Sequence, residues 1–172
     1  MTDKQLSEND KKQRRHSVMH ITPHPVKDAL YQQCQQYVRQ RIDTARSAME
    51  AAQESANEES KSSAGDKYET GRAMAQIERD RHAQLLAEAL KLEQDLHQLD
   101  IDKPSSVVRA GSLVLTNRGR FFIAISVGKL VINGVDYFVV SPASPIGALL
   151  IGHSAGDTVT FNKMAYQLQE VA

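Results

Sequence analysis

Four carboxylates crowd one short polar stretch: Glu58, Glu59, Asp66 and Glu69 within Glu58-Glu59-Ser60-Lys61-Ser62-Ser63-Ala64-Gly65-Asp66-Lys67-Tyr68-Glu69. Residues of this type in a bare loop can offer hard oxygen ligands to magnesium, an ion that keeps its waters and takes one or two carboxylates from any one source. Asp66 with Glu69 three residues later also fits a capping box, in which both side chains bind the free N–H groups at a helix start. The two uses coexist if one carboxylate oxygen caps while the other faces outward. The stretch has no large aliphatic residue to bury, and its serines and Gly65 interrupt the helical pattern. It therefore reads as the solvent-facing tip of a helical hairpin.

The elements on either side must present that tip. Over 26–56, Leu30, Cys34, Val38, Ile42, Ala45, Met49, Ala52 and Ala56 recur at steps of four and three, the seam of a helix packed on one partner. Pro25 suits the helix entry. A second helix is expected over 67–100, with Leu85, Ala89, Leu92, Leu96 and Leu99 as its seam. Nearer the tip Ala75 and His82 continue the stripe, and Met74 and Ile77 lie one column aside. The stripes are narrow, so the arms are expected to pair with each other and little else, as an antiparallel coiled coil. Each arm would be about 45 Å long. Arg39, Arg41, Arg46, Arg72, Arg79 and Arg81 place positive charge along the shaft.

Residues 101–106, with Lys103-Pro104-Ser105-Ser106, end the helix and form a linker. Beyond it, over 107–172, the pattern turns to strands. Segments 111–116 and 120–126 flank the turn Asn117-Arg118-Gly119, and 129–132 and 135–141 flank Asn133-Gly134, a strong hairpin signal. A short helix over 144–151 and a last hairpin of 157–161 with 165–171 complete the expectation. The fold class is α+β: an N-terminal antiparallel helical hairpin, then a small antiparallel β domain with one short helix. This second part holds no Ser/His/Asp set, phosphate loop or metal-ligand cluster, which points to binding.

Charge and composition set the bounds. The chain of 172 residues has 21 basic and 21 acidic side chains, so bulk charge favours neither nucleic acid nor a membrane. The single cysteine, Cys34, excludes a disulfide framework and a Cys-rich zinc site, and its place on the seam makes it a small hydrophobe. His82, also on the stripe, reads as a packed side chain. Residues 1–25 form a polar tail with Lys11-Lys12-Gln13-Arg14-Arg15 at its middle; they lack the surface to order themselves and lack the apolar core of a signal peptide. The longest apolar run, 146–151, is too short to span a bilayer. A cytoplasmic monomer with no membrane contact is expected.

Two stretches resemble the Gre transcript-cleavage factor family (GreA/GreB type) of bacterial RNA polymerase. Gly65-Asp66-Lys67-Tyr68-Glu69, followed by Thr70-Gly71-Arg72-Ala73, is similar to the family's tip motif. Ser144-Pro145-Ile146-Gly147-Ala148-Leu149-Leu150-Ile151-Gly152 with Gly156-Asp157-Thr158-Val159 is similar to the signature of its C-terminal domain, and is the more specific of the two. The resemblance runs in order from Val26 to the C-terminus. It implies an FKBP-like C-terminal domain that docks at the rim of the polymerase's secondary channel, and a coiled coil that enters it. Asp66 and Glu69 would be the catalytic acids and would share the polymerase's Mg²⁺, with Glu58 and Glu59 as auxiliary tip acids. The chain would have no cofactor of its own. It would be no enzyme but an accessory factor that stimulates the polymerase's cleavage of backtracked RNA. Its contact with nucleic acid, DNA included, would be indirect, through the elongation complex.

The chain departs from the family in its basic tail, in Lys67-Tyr68 where a leucine-serine pair is common, and in Glu58 and Glu59. Relatives with extra tip acids can inhibit the polymerase, so inhibition stands beside cleavage. A non-catalytic coiled-coil interaction module is the reading from another class. Proline isomerisation has little support, because the chain has no tryptophan and four phenylalanines to line a pocket.

Overall fold

The computed structural model describes residues 24–59, 61 and 65–172, and in them the chain is α+β. The expected tail, apart from its last two residues, and the side chains of Glu59 and residues 65–68 lie outside the described residues. Two long helices, α1 (Pro25–Glu59) and α2 (Gly65–His97), precede β1 (Leu113–Thr116), β2 (Gly119–Ile123), β3 (Gly128–Ile132) and β4 (Val135–Val140). A short α3 (Pro145–Leu150) and the strands β5 (Thr158–Phe161) and β6 (Met164–Val171) complete the chain.

The α1 seam follows the sequence pattern: Leu30, Cys34, Val38, Ile42 and Ala45 are buried, and Met49, Ala52 and Ala56 are half-buried. On α2 the stripe runs through Gly71, Ala75, Arg79, His82, Leu86, Ala89 and Leu96. Leu85, expected in the seam, is instead 37% exposed and Leu86 takes its place. Both choices keep steps of three and four between His82 and Ala89, so spacing alone does not separate the two leucines; packing against α1 does. Toward the tip the seam narrows to alanine and glycine, while Met74 and Ile77 are 58% and 60% exposed.

The arms do not pair with each other alone, as the narrow stripes suggested. At the base of the hairpin Leu30, Cys34, Val38, Ala89 and Leu96 share one buried cluster with Leu113, Phe122, Ala124, Tyr137 and Val139 of the β domain. The opposite face of the sheet has its own cluster, in which Leu150 of α3 packs with Val108, Val114, Phe121, Ile123, Val159 and Leu168. Successive residues of β2 and the one after it alternate between the two: Phe121 and Ile123 face α3, Phe122 and Ala124 face the hairpin. A strand covered on both faces reads as an unbroken apolar run, which Phe121 to Ile123 is.

The six strands form one sheet in the order β3-β4-β2-β1-β6-β5. It is mostly antiparallel, as expected, with one parallel pairing: β2 runs alongside β4, Phe122 opposite Val139, while β3 returns along the edge. Between Leu115 and Thr116 the pairing to β6 slips past Gln169. This bulge lets Leu168 and Val171, an odd number of residues apart, both serve the α3 side. The Asn133-Gly134 turn is as expected, with φ of 51° and 77°. The first turn is tighter than expected: Gly119 pairs with Thr116 across Asn117-Arg118, and Thr116 Oγ1 accepts from the Arg118 and Gly119 amides at 3.2 and 3.1 Å.

Candidate functional site

The tip follows from where the two long helices stop. α1 has 35 residues and α2 has 33, hence about 50 Å of helix each. α1 continues to Glu59, three residues past the expected end, and closes in a turn where the Lys61 amide donates to the Glu58 carbonyl at 3.1 Å. α2 begins at Gly65, two residues before the expected Lys67, and ends at His97 rather than Asp100. The earlier start places Asp66 inside the first turn of α2 and not at its N-cap. The capping-box register expected from the spacing needs Asp66 at the N-cap, and the Asp66 side chain lies outside the described residues. Positions 66 and 69 fall on one side of the helix, three residues apart. Glu58 and Glu69 are exposed; the side chains of Asp66 and Glu59 lie outside the described residues.

Helix polarity separates the four acids. The N-terminus of a helix carries a partial positive charge and the C-terminus a partial negative one. Positions 66 and 69 lie at the favourable end of α2, so helix stability alone accounts for acids there. Positions 58 and 59 lie at the unfavourable end of α1, whose last turn has no basic residue. Stability gives no reason for carboxylates at that place. Glu58 and Glu59, secondary in the sequence reading, are thus the acids with the fewest structural explanations.

The upper part of the hairpin carries a side-chain contact between the arms. Arg79 Nη1 donates across the arms to Gln53 Oε1 at 3.2 Å, and its Nη2 lies 3.3 Å from Asp80 Oδ1. Lower on the shaft, the Arg41 guanidinium lies 5.6 Å from the centre of the Tyr37 ring, and its Nη1 donates to that phenol at 2.8 Å. His82 pairs with Glu78 at 3.6 Å. Among the described residues, no three of His, Cys, Asp or Glu come together in a way that could hold a metal ion. Cys34 is wholly buried, and loss of hydration pushes its thiol up to about 12, so it is an inert core residue.

The C-terminal signature is first of all a structural turn. Ser144 is the N-cap of α3, its side chain accepting from the Gly147 amide at 3.1 Å, and Pro145 opens the helix. Gly147 is there because a Cβ would lie 2.0 Å from the Ser141 carbonyl oxygen. The loop so shaped puts Ser141 and Pro142 on one wall of an open groove of about 530 Å³; Leu92, Asp95 and Gln98 of α2 and its exit form another. No sequence signal pointed to this groove, since its walls come from distant parts of the chain. Among the described residues, no helix is long and apolar enough to cross a membrane.

No protein-family model matches the chain, and no curated protein matches it. Among solved structures it is similar to one titled "Structure of the transcription factor Gfh1", at 19% identity and a TM-score of 0.31, over 82% of this chain and 92% of that one. A likeness of this degree establishes neither a family nor a function.

Proposed function

We propose that the protein is an accessory factor of bacterial RNA polymerase, which docks through its β domain and delivers the hairpin tip through the secondary channel. The observation that carries this reading is the arm itself: two helices of about 50 Å joined at a polar tip stretch with four acids against two lysines. The family resemblance of the tip and of the Ser144–Gly152 turn supplies the partner. Magnesium in the polymerase site would polarise the phosphodiester and its attacking water. Asp66 and Glu69 supply negative charge that helps hold that ion and orient the water. The water oxygen joins the phosphorus, the upstream 3′ oxygen leaves, and the backtracked 3′ fragment is released. The hydrolytic activity is the polymerase's, so this chain is not itself the enzyme.

The test uses Asp66→Asn with Glu69→Gln in the full chain, on stalled, backtracked elongation complexes. Loss of two acids near the start of α2 costs the helix about 1 kcal/mol, too little to unfold a hairpin anchored at its base. Loss of metal-directed carboxylates removes several kcal/mol of transition-state stabilisation, hence about a hundredfold or more in rate. Short RNA released as fast by the variant as by the wild type would reduce these acids to helix-end residues. The misplaced charges of Glu58 and Glu59 favour a second reading, inhibition: a wild type that slows synthesis without cleaving, relieved by Glu58→Gln with Glu59→Gln, would establish it. Absence of any polymerase binding would leave an interaction module.

A further inference from the structure

One group of side chains outside the tip is arranged as a strap. Arg109 lies where the chain enters the β domain, two residues after the bridge of Val107 to Ser154. Its Nη2 donates to the carbonyl oxygens of Asp100 at 2.9 Å and Lys103 at 2.6 Å, and its Nη1 to that of Ala110 at 3.0 Å. One guanidinium thus spans both ends of the turn that follows α2 and ties it to the β domain. The turn is closed by Asp100 Oδ1, which accepts from the Lys103 amide at 3.1 Å. It lies so close that only glycine fits opposite: a Cβ on Gly111, whose φ is 90°, would meet the Asp100 carbonyl oxygen at 2.9 Å. Lys27, in the first turn of α1, is 4% exposed at the same junction.

We propose that Arg109 is a positioning residue, which fixes the direction in which the hairpin leaves the β domain. The shared core at the base is apolar, and apolar packing is not directional. It holds the helices against the sheet without itself singling out one direction for the arm. Hydrogen bonds from a rigid planar fork resist tilting directly. The length of the arm makes small angles matter, since a 10° tilt at the base moves a tip about 50 Å away by about 9 Å. Delivery of a carboxylate to a reacting centre tolerates about 1 Å. Lys27 and Arg109 lie close enough for Arg109 to disfavour the Lys27 charge, with Asp102, Asp100 and Asp28 acting the other way, so the junction is built from charged groups as well as apolar ones. The strap itself is read from this chain; its consequence for RNA cleavage rests on the function proposed above.

The test measures direction in the free chain, then activity. Spin labels at Ala73→Cys and Thr160→Cys, both exposed, report the angle, and buried Cys34 stays unlabelled. Residue 73 lies about 36 Å up the arm, so a 10° spread appears as about 6 Å in the distance distribution. The expected result is one narrow distribution for the parent and a broadened or displaced one for Arg109→Gln at unchanged helix content. An unchanged distribution overturns the proposal. If Arg109→Gln does not fold, Arg109→Lys, which keeps the charge and loses the fork, is judged by the same criterion. On the polymerase, Arg109→Gln should cut cleavage at least tenfold with unchanged binding. A broadened distribution with a parent that never cleaves would sink the cleavage reading and leave the strap standing.

Discussion

Leu96→Ala tests whether the arm and the sheet are one cooperative unit. Leu96 is 1% exposed and lies in the cluster that holds Leu30, Cys34 and Val38 of α1 together with Phe122 and Val139 of the sheet. Its carbonyl also accepts the Tyr31 hydroxyl at 3.2 Å, which the substitution leaves in place. The change removes buried carbons and leaves a cavity walled by three elements, for which a cost of about 2–5 kcal/mol is usual. At about 3 kcal/mol the midpoint should fall by roughly 6–12 °C for a chain of this size. Typical total stability of about 5–15 kcal/mol leaves the variant folded at room temperature. Hydrogen exchange read by mass spectrometry is the assay. Amides in the base of α1 and α2 and in β2 and β4 should lose protection by the same amount, because the cavity belongs to all of them. Leu85→Ala, at a position 37% exposed beside the seam, should cost about 1 kcal/mol or less. If β2 and β4 keep full protection in Leu96→Ala while the helices lose theirs, the arm is a separate unit and the shared core has been misjudged.

Residues 107–172 expressed alone should aggregate or lose their near-ultraviolet signal, because Leu113, Phe122, Tyr137 and Val139 lose the hairpin that covers them; a monomeric, cooperatively melting fragment would contradict this. Gly147→Ala should destabilise by about 1–3 kcal/mol despite alanine's better helix propensity, since the new methyl meets the Ser141 carbonyl, and a neutral or stabilising result in thermal melts would refute the close approach. Burial first, and Arg109 next, hold the Lys27 ammonium below its usual 10.5, against the opposing pull of Asp102, Asp100 and Asp28. The unfolded chain then binds that proton more tightly than the folded one. Lys27's contribution to stability should therefore rise with pH as the folded group deprotonates, levelling near the unfolded value. Lys27→Met should remove that rise and be neutral or stabilising by roughly 1 kcal/mol at neutral pH, as denaturant titrations across the alkaline range will show.

Several features are local and could be read from residue order. The α1 stripe from Leu30 to Ala56 has helical spacing, Asn133-Gly134 fits a tight hairpin, and Ser144-Pro145 is a cap followed by a first-turn proline. Each depends on neighbours within a few positions, so no tertiary knowledge is needed. The acidic tip was legible for the same reason: a polar stretch between two periodic ones has nowhere to go but the turn.

Other features depend on partners far along the chain. Leu85 and Leu86 are chemically equal neighbours, and only the partner helix decides which faces inward. The run Phe121-Phe122-Ile123 shows that both sides of β2 are buried, but not that the hairpin covers one and α3 the other. The parallel pairing of β2 with β4 and the bulge at Gln169 are set by how six strands share two cores. Arg109 shows no periodicity and no motif; its meaning comes from carbonyls six and nine residues away that a turn folds back onto it. Asp66 and Glu69 have capping spacing in the sequence, yet α2 starts at Gly65, two residues before the start at residue 67 that this register needs. A local pattern gives the residue types an element needs, and long-range packing decides where that element starts and which side it buries.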